Sequence, residues 1–336
     1  MNRILAPLCL FCAISLFATS PATAVTISWV PVGNLGNAPD TVVMSDGTTG
    51  YGAVPYAYSI GKYDVTNSQY VEFLNAKDAN GANTLGLYNS GMSDASLGGG
   101  INFTAGNANG SKYSVISSDG NHPVNYVTWY DALRFANWLN NGQGNGDTES
   151  GAYTLLGGTP TPSNGLSITR NVGATVFLVG EDEWYKAAYY NPANKKYFLY
   201  PTSSNTAPTA SGPTALANHA NYNNLNLAGL LTDVGAYTGT TSPPGAFDMA
   251  GDVLQWNEAL ISGSLRGLRG GSFFNSSNSM QSSFRNNLSP LDEGSAVGFR
   301  LTNIPGGYVP EPSTGVLAVL ACGLLLWKRK SFRRVA

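Results

Sequence analysis

Apolar and polar positions change period several times along the chain, and each change marks an element. Tyr58-Ser59-Ile60-Gly61-Lys62-Tyr63-Asp64-Val65 alternates as a strand does. Thr66 follows with Gln69 at the spacing of a capping box, and Val65 stands where a hydrophobic staple would. Tyr70, Phe73 and Leu74 then fall on one helical face. After an extended stretch from His122 to Val127, Thr128 caps a second helix with Asp131 in its first turn. Trp129, Ala132, Leu133, Ala136 and Leu139 line one side of it, and Asn140-Asn141-Gly142 ends it. Thr175–Val179 reads as a strand. Glu181, Asp182 and Glu183 open a third helix, where acids suit the dipole, and Trp184, Ala187 and Ala188 face inward. Leu268–Phe273 and Val297–Leu301 read as strands pinned by close-packed glycines. Residues 26–60 read as short strands and turns. Residues 78–120 and 141–170 are predicted to be inserted polar surface loops, and 191–247 is mostly loop. No internal repeat is present.

The two ends differ from this body. Arg3, the apolar run Ile4–Phe17 and the small-x-small triplet Ala22-Thr23-Ala24 form a secretory signal with cleavage after Ala24. The run is short for a membrane span, which needs about 20 residues. At the other end, Val309-Pro310-Glu311-Pro312-Ser313 precedes an uncharged segment, about 314–327. Lys328, Arg329, Lys330, Arg333 and Arg334 then close the chain, an arrangement that holds the basic cluster on the cytoplasmic side and the body outside.

Composition narrows the classes. Removing Arg3 and the five basic tail residues from the 18 Lys and Arg, and Glu311 from the 20 Asp and Glu, leaves the body at about −7. Nucleic acid needs a basic face, so it is not an expected partner. Charged residues are 11% of the chain, against about 25% in ordinary soluble proteins. Cys9, Cys12 and Cys322 all lie in the end segments, so the body has neither disulfide nor thiol chemistry.

Several segments, in order, resemble the formylglycine-generating enzyme, or sulfatase-modifying factor, family. They are Gly61–Tyr70, His122-Pro123-Val124 through Trp129–Ala132, Asn137-Trp138-Leu139, Glu181–Trp184, Tyr200-Pro201, Asp248–Val253, Arg269-Gly270-Gly271-Ser272, Arg285 and Gly298-Phe299-Arg300. The resemblance implies an α+β, loop-rich, elaborated C-type-lectin-like fold over residues 25–305. The segment 306–336 resembles a PEP-CTERM sorting tail. That implies an exosortase-type sorting enzyme as partner, an inner-membrane stage before processing, and delivery to the cell surface or extracellular matrix. From the residues themselves, Trp129, Trp138, Trp184 and Trp256 are expected in the core. Gly270-Gly271 is expected to permit close backbone packing. Arg269, Arg285 and Arg300 are expected to make buried ion pairs or to bond carbonyls.

The family's oxidase holds copper through two cysteines after the Gly-Gly-Ser motif; here Asn275 and Met280 stand near those places. A soft metal such as Cu(I) needs thiolates, so copper oxidase chemistry is not expected. His122 and His219 are the body's two histidines; an iron site commonly takes two histidines and a carboxylate, but His122 precedes a proline in a motif that the resemblance makes structural and His219 sits in a polar loop, so a shared iron site is not expected. The resemblance also implies structural calcium, with Asn221 and Tyr222 matching one segment and Ala250, Gly251, Val253 and Gln255 the other. Gln255 stands where the family has Glu, and Asp252 where it has Asn. The expected role is a non-catalytic binding module for glycan or protein. Its ligand-binding candidates are Phe273, Phe274, Asn275, Asn278 and Asn286, with exposed aromatics at Phe273 and Phe274 beside adaptable Asn and Ser. The alternatives are a formylglycine-type oxidoreductase acting on protein cysteine, and a structural component of a polysaccharide matrix.

Overall fold

The computed structural model describes residues 24–224 and 230–308, so the expected export signal, 1–24, lies outside the described residues except for Ala24, and the expected sorting tail, 306–336, except for 306–308. In chain order, β1 (Trp29–Val32), β2 (Tyr58–Gly61) and α1 (Asn67–Lys77) are followed by β3 (Ile101–Phe103) and β4 (Tyr113–Val115). Then come α2 (Trp129–Asn140), β5 (Val176–Leu178) and α3 (Glu181–Tyr189). Four two-residue strands follow: β6 (Tyr190–Asn191), β7 (Lys196–Tyr197), β8 (Thr209–Ala210) and β9 (His219–Ala220). The chain closes with β10 (Leu254–Leu260), β11 (Arg266–Arg269), β12 (Asn286–Leu288), β13 (Val297–Phe299) and β14 (Leu301–Asn303). Two four-stranded sheets result, ordered β1-β2-β14-β5 and β12-β11-β10-β13. Within these two sheets all pairs are antiparallel except β10 with β13, and the small β8–β9 pair is also parallel. No helix among the described residues is long and apolar enough to cross a membrane.

The predicted helix starts are present in atomic detail. Thr66 accepts from Gln69 N at 3.3 Å while Gln69 Oε1 accepts from Thr66 N at 3.0 Å. Thr128 and Asp131 make the same reciprocal pair. These bonds satisfy amides that the first helical turn leaves without partners. The helices then bury aromatic faces against each other: Tyr70 stacks on Phe135, and Phe73 tilts against Trp138. Phe135 in turn meets Phe299 of β13 edge-on. Trp129, Trp138, Trp184 and Trp256 are all core residues.

The inserted stretches differ from the expectation of plain surface loops. Residues 78–120 contain the β3–β4 hairpin and bury Leu87, Met92, Ile101 and Tyr113. Residues 141–170 carry no helix or strand, yet they bury Ala152, Tyr153, Leu155 and Ile168. Sparse apolar anchors fix these polar segments to the core without setting up a period. Arg134 of α2, fully buried, reaches both: it pairs with Glu149 at 2.7 Å and donates to the carbonyls of Thr159, Pro160 and Leu85.

Candidate functional site

The segment beyond β11 is shaped by two glycines. Gly270 and Gly271 take φ of +100° and +69°, and a Cβ on Gly271 would stand 2.9 Å from Met280 Cγ. Only glycine meets both demands. The backbone is then pinned: Phe273 N donates to Asp252 O, Asn224 N to Phe273 O, and Asn223 N to Asn275 O. Ser272 Oγ closes the turn on Asn275 Oδ1 at 2.8 Å. The returning limb is tied to β11 by Arg269, whose guanidinium donates to Ser282 O and Phe284 O.

This placement corrects the expectation of two exposed aromatics. Phe273 is 1% exposed, packed with Leu231 and Val253, whereas Phe274 is 47% exposed with its ring 4.1 Å above that of Phe273. Phe273 and Phe274 are the two central residues of a tight turn in which Asn275 N donates to Ser272 O at 3.0 Å, so one ring enters the core while its neighbour lies over it from the outside. Asn275 is half-buried and Asn278 exposed on the same segment. Asn286 is set apart, half-buried in β12 opposite Leu268. Met280, expected near the second family cysteine position, is fully buried against Tyr200, Ala220 and Ala250.

The calcium candidates divide. Asn221 is buried; its Nδ2 donates to Asp252 Oδ1 and Leu230 O, and its Oδ1 has no partner among the described residues. Its backbone carbonyl accepts from Asp252 N, and the Tyr222 hydroxyl donates to Pro208 O. The free Asn221 Oδ1 is one oxygen donor, where calcium takes about six to eight. In the other segment, with Ala250, Gly251, Val253 and Gln255, the Gln255 side chain does not fit. Gln255 Oε1 already accepts from Trp184 Nε1 at 2.6 Å and from Arg300 Nε at 2.7 Å. A guanidinium holding the oxygen that should bind a cation excludes that cation. Arg300 also sits 3.2 Å from Asp64 and bonds the carbonyls of Gly61, Phe247 and Asp248. Burial, only partly offset by Arg300, pushes Asp64 up to about 7, and burial pushes Asp252 up to about 6. The two histidines have separate neighbourhoods: His122 lies between Asp119 and Asp233, and His219 Nδ1 meets Ser211 Oγ. No group of three or more His, Cys, Asp or Glu side chains converges for a metal among the described residues.

The three arginines behave as expected, but their partners were not readable. Glu181 is the hub: it pairs with Arg269 at 2.9 Å and with Arg285 at 2.7 Å, and Arg285 also pairs with Asp46. The acids of α3 thus do more than face a dipole. Glu183 holds Arg170 at 2.8 Å, and Arg170 reaches Glu258 at 2.7 Å. This second network walls a cleft of about 680 Å³ that includes Tyr56, Leu166, Leu260, Arg266 and Tyr308. No sequence signal pointed to it, because its charges come from a loop, a helix and a strand far apart in the chain.

Among solved structures, Treponema denticola variable protein 1 is 20% identical, with a TM-score of 0.51, covering 84% of this chain and 97% of that one. The crystal structure of CarF is also 20% identical, with a TM-score of 0.51, covering 83% and 98%. Both share the C-type-lectin-like architecture expected here. No curated protein matches the sequence significantly. Residues 21–304 match the sulfatase-modifying factor enzyme 1-like domain, most of the chain's length, and the chain belongs to that family.

Proposed function

We propose that the protein is exported and acts outside the cytoplasm as a non-catalytic binding module for glycan or protein. The observation that carries this reading is the content of the post-glycine segment. Residues 25–310 hold no cysteine, and near the places of the family's copper thiolates stand an amide, Asn275, and a thioether, Met280, the latter sealed in the core. A buried thioether cannot supply the thiolate pair that Cu(I) oxidation of a substrate cysteine requires. The same segment presents Phe274, braced from below by Phe273, beside Asn275 and Asn278. A rigid aromatic face with flanking amides supplies stacking area and directed hydrogen bonds at little entropic cost. Export rests on the N-terminal signal and on the Pro-Glu-Pro tail with its basic end, which implies processing by an exosortase-type enzyme.

The test is a screen of the purified protein against glycans and secreted proteins, repeated with Phe274→Ala. Binding that falls about tenfold or more in the variant is expected, on the scale of one stacked aromatic contact. Incubation with Cu(I), oxygen and a cysteine-containing sulfatase peptide is the opposing arm. Aldehyde formation there would overturn the reading in favour of a formylglycine-type oxidoreductase.

A further inference from the structure

The cleft beside Arg170 lies at the other end of the β10–β11 ladder from Phe274. Gln255 pairs with Arg269, next to the glycines, while Leu260 pairs with Arg266 at the cleft. Its volume, about 680 Å³, is within the range of small-ligand clefts, roughly 300–1,000 Å³. Its polar wall is built before any ligand arrives. Arg170 is clamped between Glu183 and Glu258, with two bonds to each. The Tyr56 hydroxyl donates to Glu183, and the Tyr153 hydroxyl to Glu258. Glu183 also accepts from Gly180 N, so its acceptor positions are filled. Among the described residues Glu258 accepts three bonds, and its side chain keeps 22% exposure. One acceptor position on Oε2 therefore remains.

Arg266 supplies the complementary donors. It is 3% exposed, lies 3.8 Å over the Trp129 ring, and donates to Glu258 O and Gly165 O. It has no carboxylate within ion-pair distance among the described residues, and two of its five N–H groups are used. Leu166 and Leu260, 63% and 45% exposed, add apolar surface at the rim. Asp182 also borders the cleft, with its carboxylate bonded to Gly52 N, and Glu181 is held by Arg269 and Arg285.

We propose that this cleft is a second binding site and that its ligand is a neutral saccharide. A sugar hydroxyl both donates and accepts, so vicinal hydroxyls can meet Glu258 Oε2 and Arg266 N–H together. The C–H face of the ring then lies on Leu166 and Leu260. The carboxylates around Arg170, with Asp182 beside them, leave no excess positive charge for an acidic sugar. This site does not depend on the Phe274 surface.

The test is titration calorimetry and saturation-transfer NMR of the purified protein with maltose, cellobiose and lactose, their trisaccharides, and digalacturonate. Binding of a neutral sugar is expected, weakened about tenfold or more by Glu258→Gln. Leu166→Asp, an exposed rim change that leaves the ion-pair network intact, should weaken it similarly, and Phe274→Ala should not. Three results would overturn the proposal: no binding to the folded protein, stronger binding of digalacturonate, or unchanged affinity in both cleft variants.

Discussion

At the scale of single residues, the main tension is buried negative charge. Asp64 and Asp252 are buried near one another, and Arg300 is the cation set against Asp64. Burial raises Asp252 from its ordinary value of 3.8 to about 6, although Thr232 and Asn221 donate to it. The sign follows from proton counting. Between about pH 4 and pH 6 the folded protein holds a proton that the unfolded chain has released, so stability falls as pH rises through that window. Asp64, raised to about 7, extends the fall upward. Asp252→Asn removes one charge while keeping an oxygen for Asn221 and Thr232, and Asn tolerates the local φ of +58°. At pH 8 the variant should be more stable by on the order of 1 kcal/mol, and the gain should disappear near pH 4. Urea midpoints of both proteins across that range decide it. A variant weaker than the parent at pH 8 would show that the carboxylate is stabilising as the anion.

At the scale of elements, the helix caps are the best-read features of the sequence, because all the information lies within four residues. Thr66→Ala should cost about 0.5–2 kcal/mol. Thr128→Ala should cost at least as much, since Thr128 Oγ1 also donates to Asp131 at 2.6 Å. Denaturant unfolding checks both, and an unchanged midpoint would mean that tertiary packing alone sets these helix starts. The same locality explains what was misread. Two adjacent phenylalanines in an Asn/Ser stretch look alike in sequence, and only the turn from Ser272 to Asn275, docked on Asp252, sends Phe273 inward and leaves Phe274 out. Leu87, Met92, Ile101 and Tyr113 are spaced too irregularly to announce a packed hairpin. Gln255 matched a calcium position in sequence, but Arg300, brought in by β13 and β14, claims its oxygen. The cleft was illegible for the same reason in stronger form: Arg170, Glu183 and Glu258 meet only once two sheets and α3 have assembled.

At the scale of the whole molecule, the body must hold together without disulfides, since its cysteines lie outside residues 25–310. Reductant should therefore leave the melting temperature unchanged. Beside their apolar anchors, the long insertions share one polar tie to the core, a buried guanidinium. Arg134 leaves α2 and reaches Leu85 in the first insertion, and Glu149, Thr159 and Pro160 in the second. Arg134→Met keeps most of the side-chain volume but strands three carbonyls and a carboxylate. Removing one partner of a fully buried pair costs about 3–5 kcal/mol. Glu149 keeps 23% side-chain exposure and can regain water, so a smaller cost of about 2–4 kcal/mol is expected. The loss should be local before it is global. Limited proteolysis should cut first within 78–120 or 141–170, while the far-UV signal of the helices persists, because the α1–α2 aromatic contacts do not involve Arg134. If the variant instead melts as one unit with no early cuts, the insertions are integral to the core rather than fastened to it, and the fold's cooperative unit includes them.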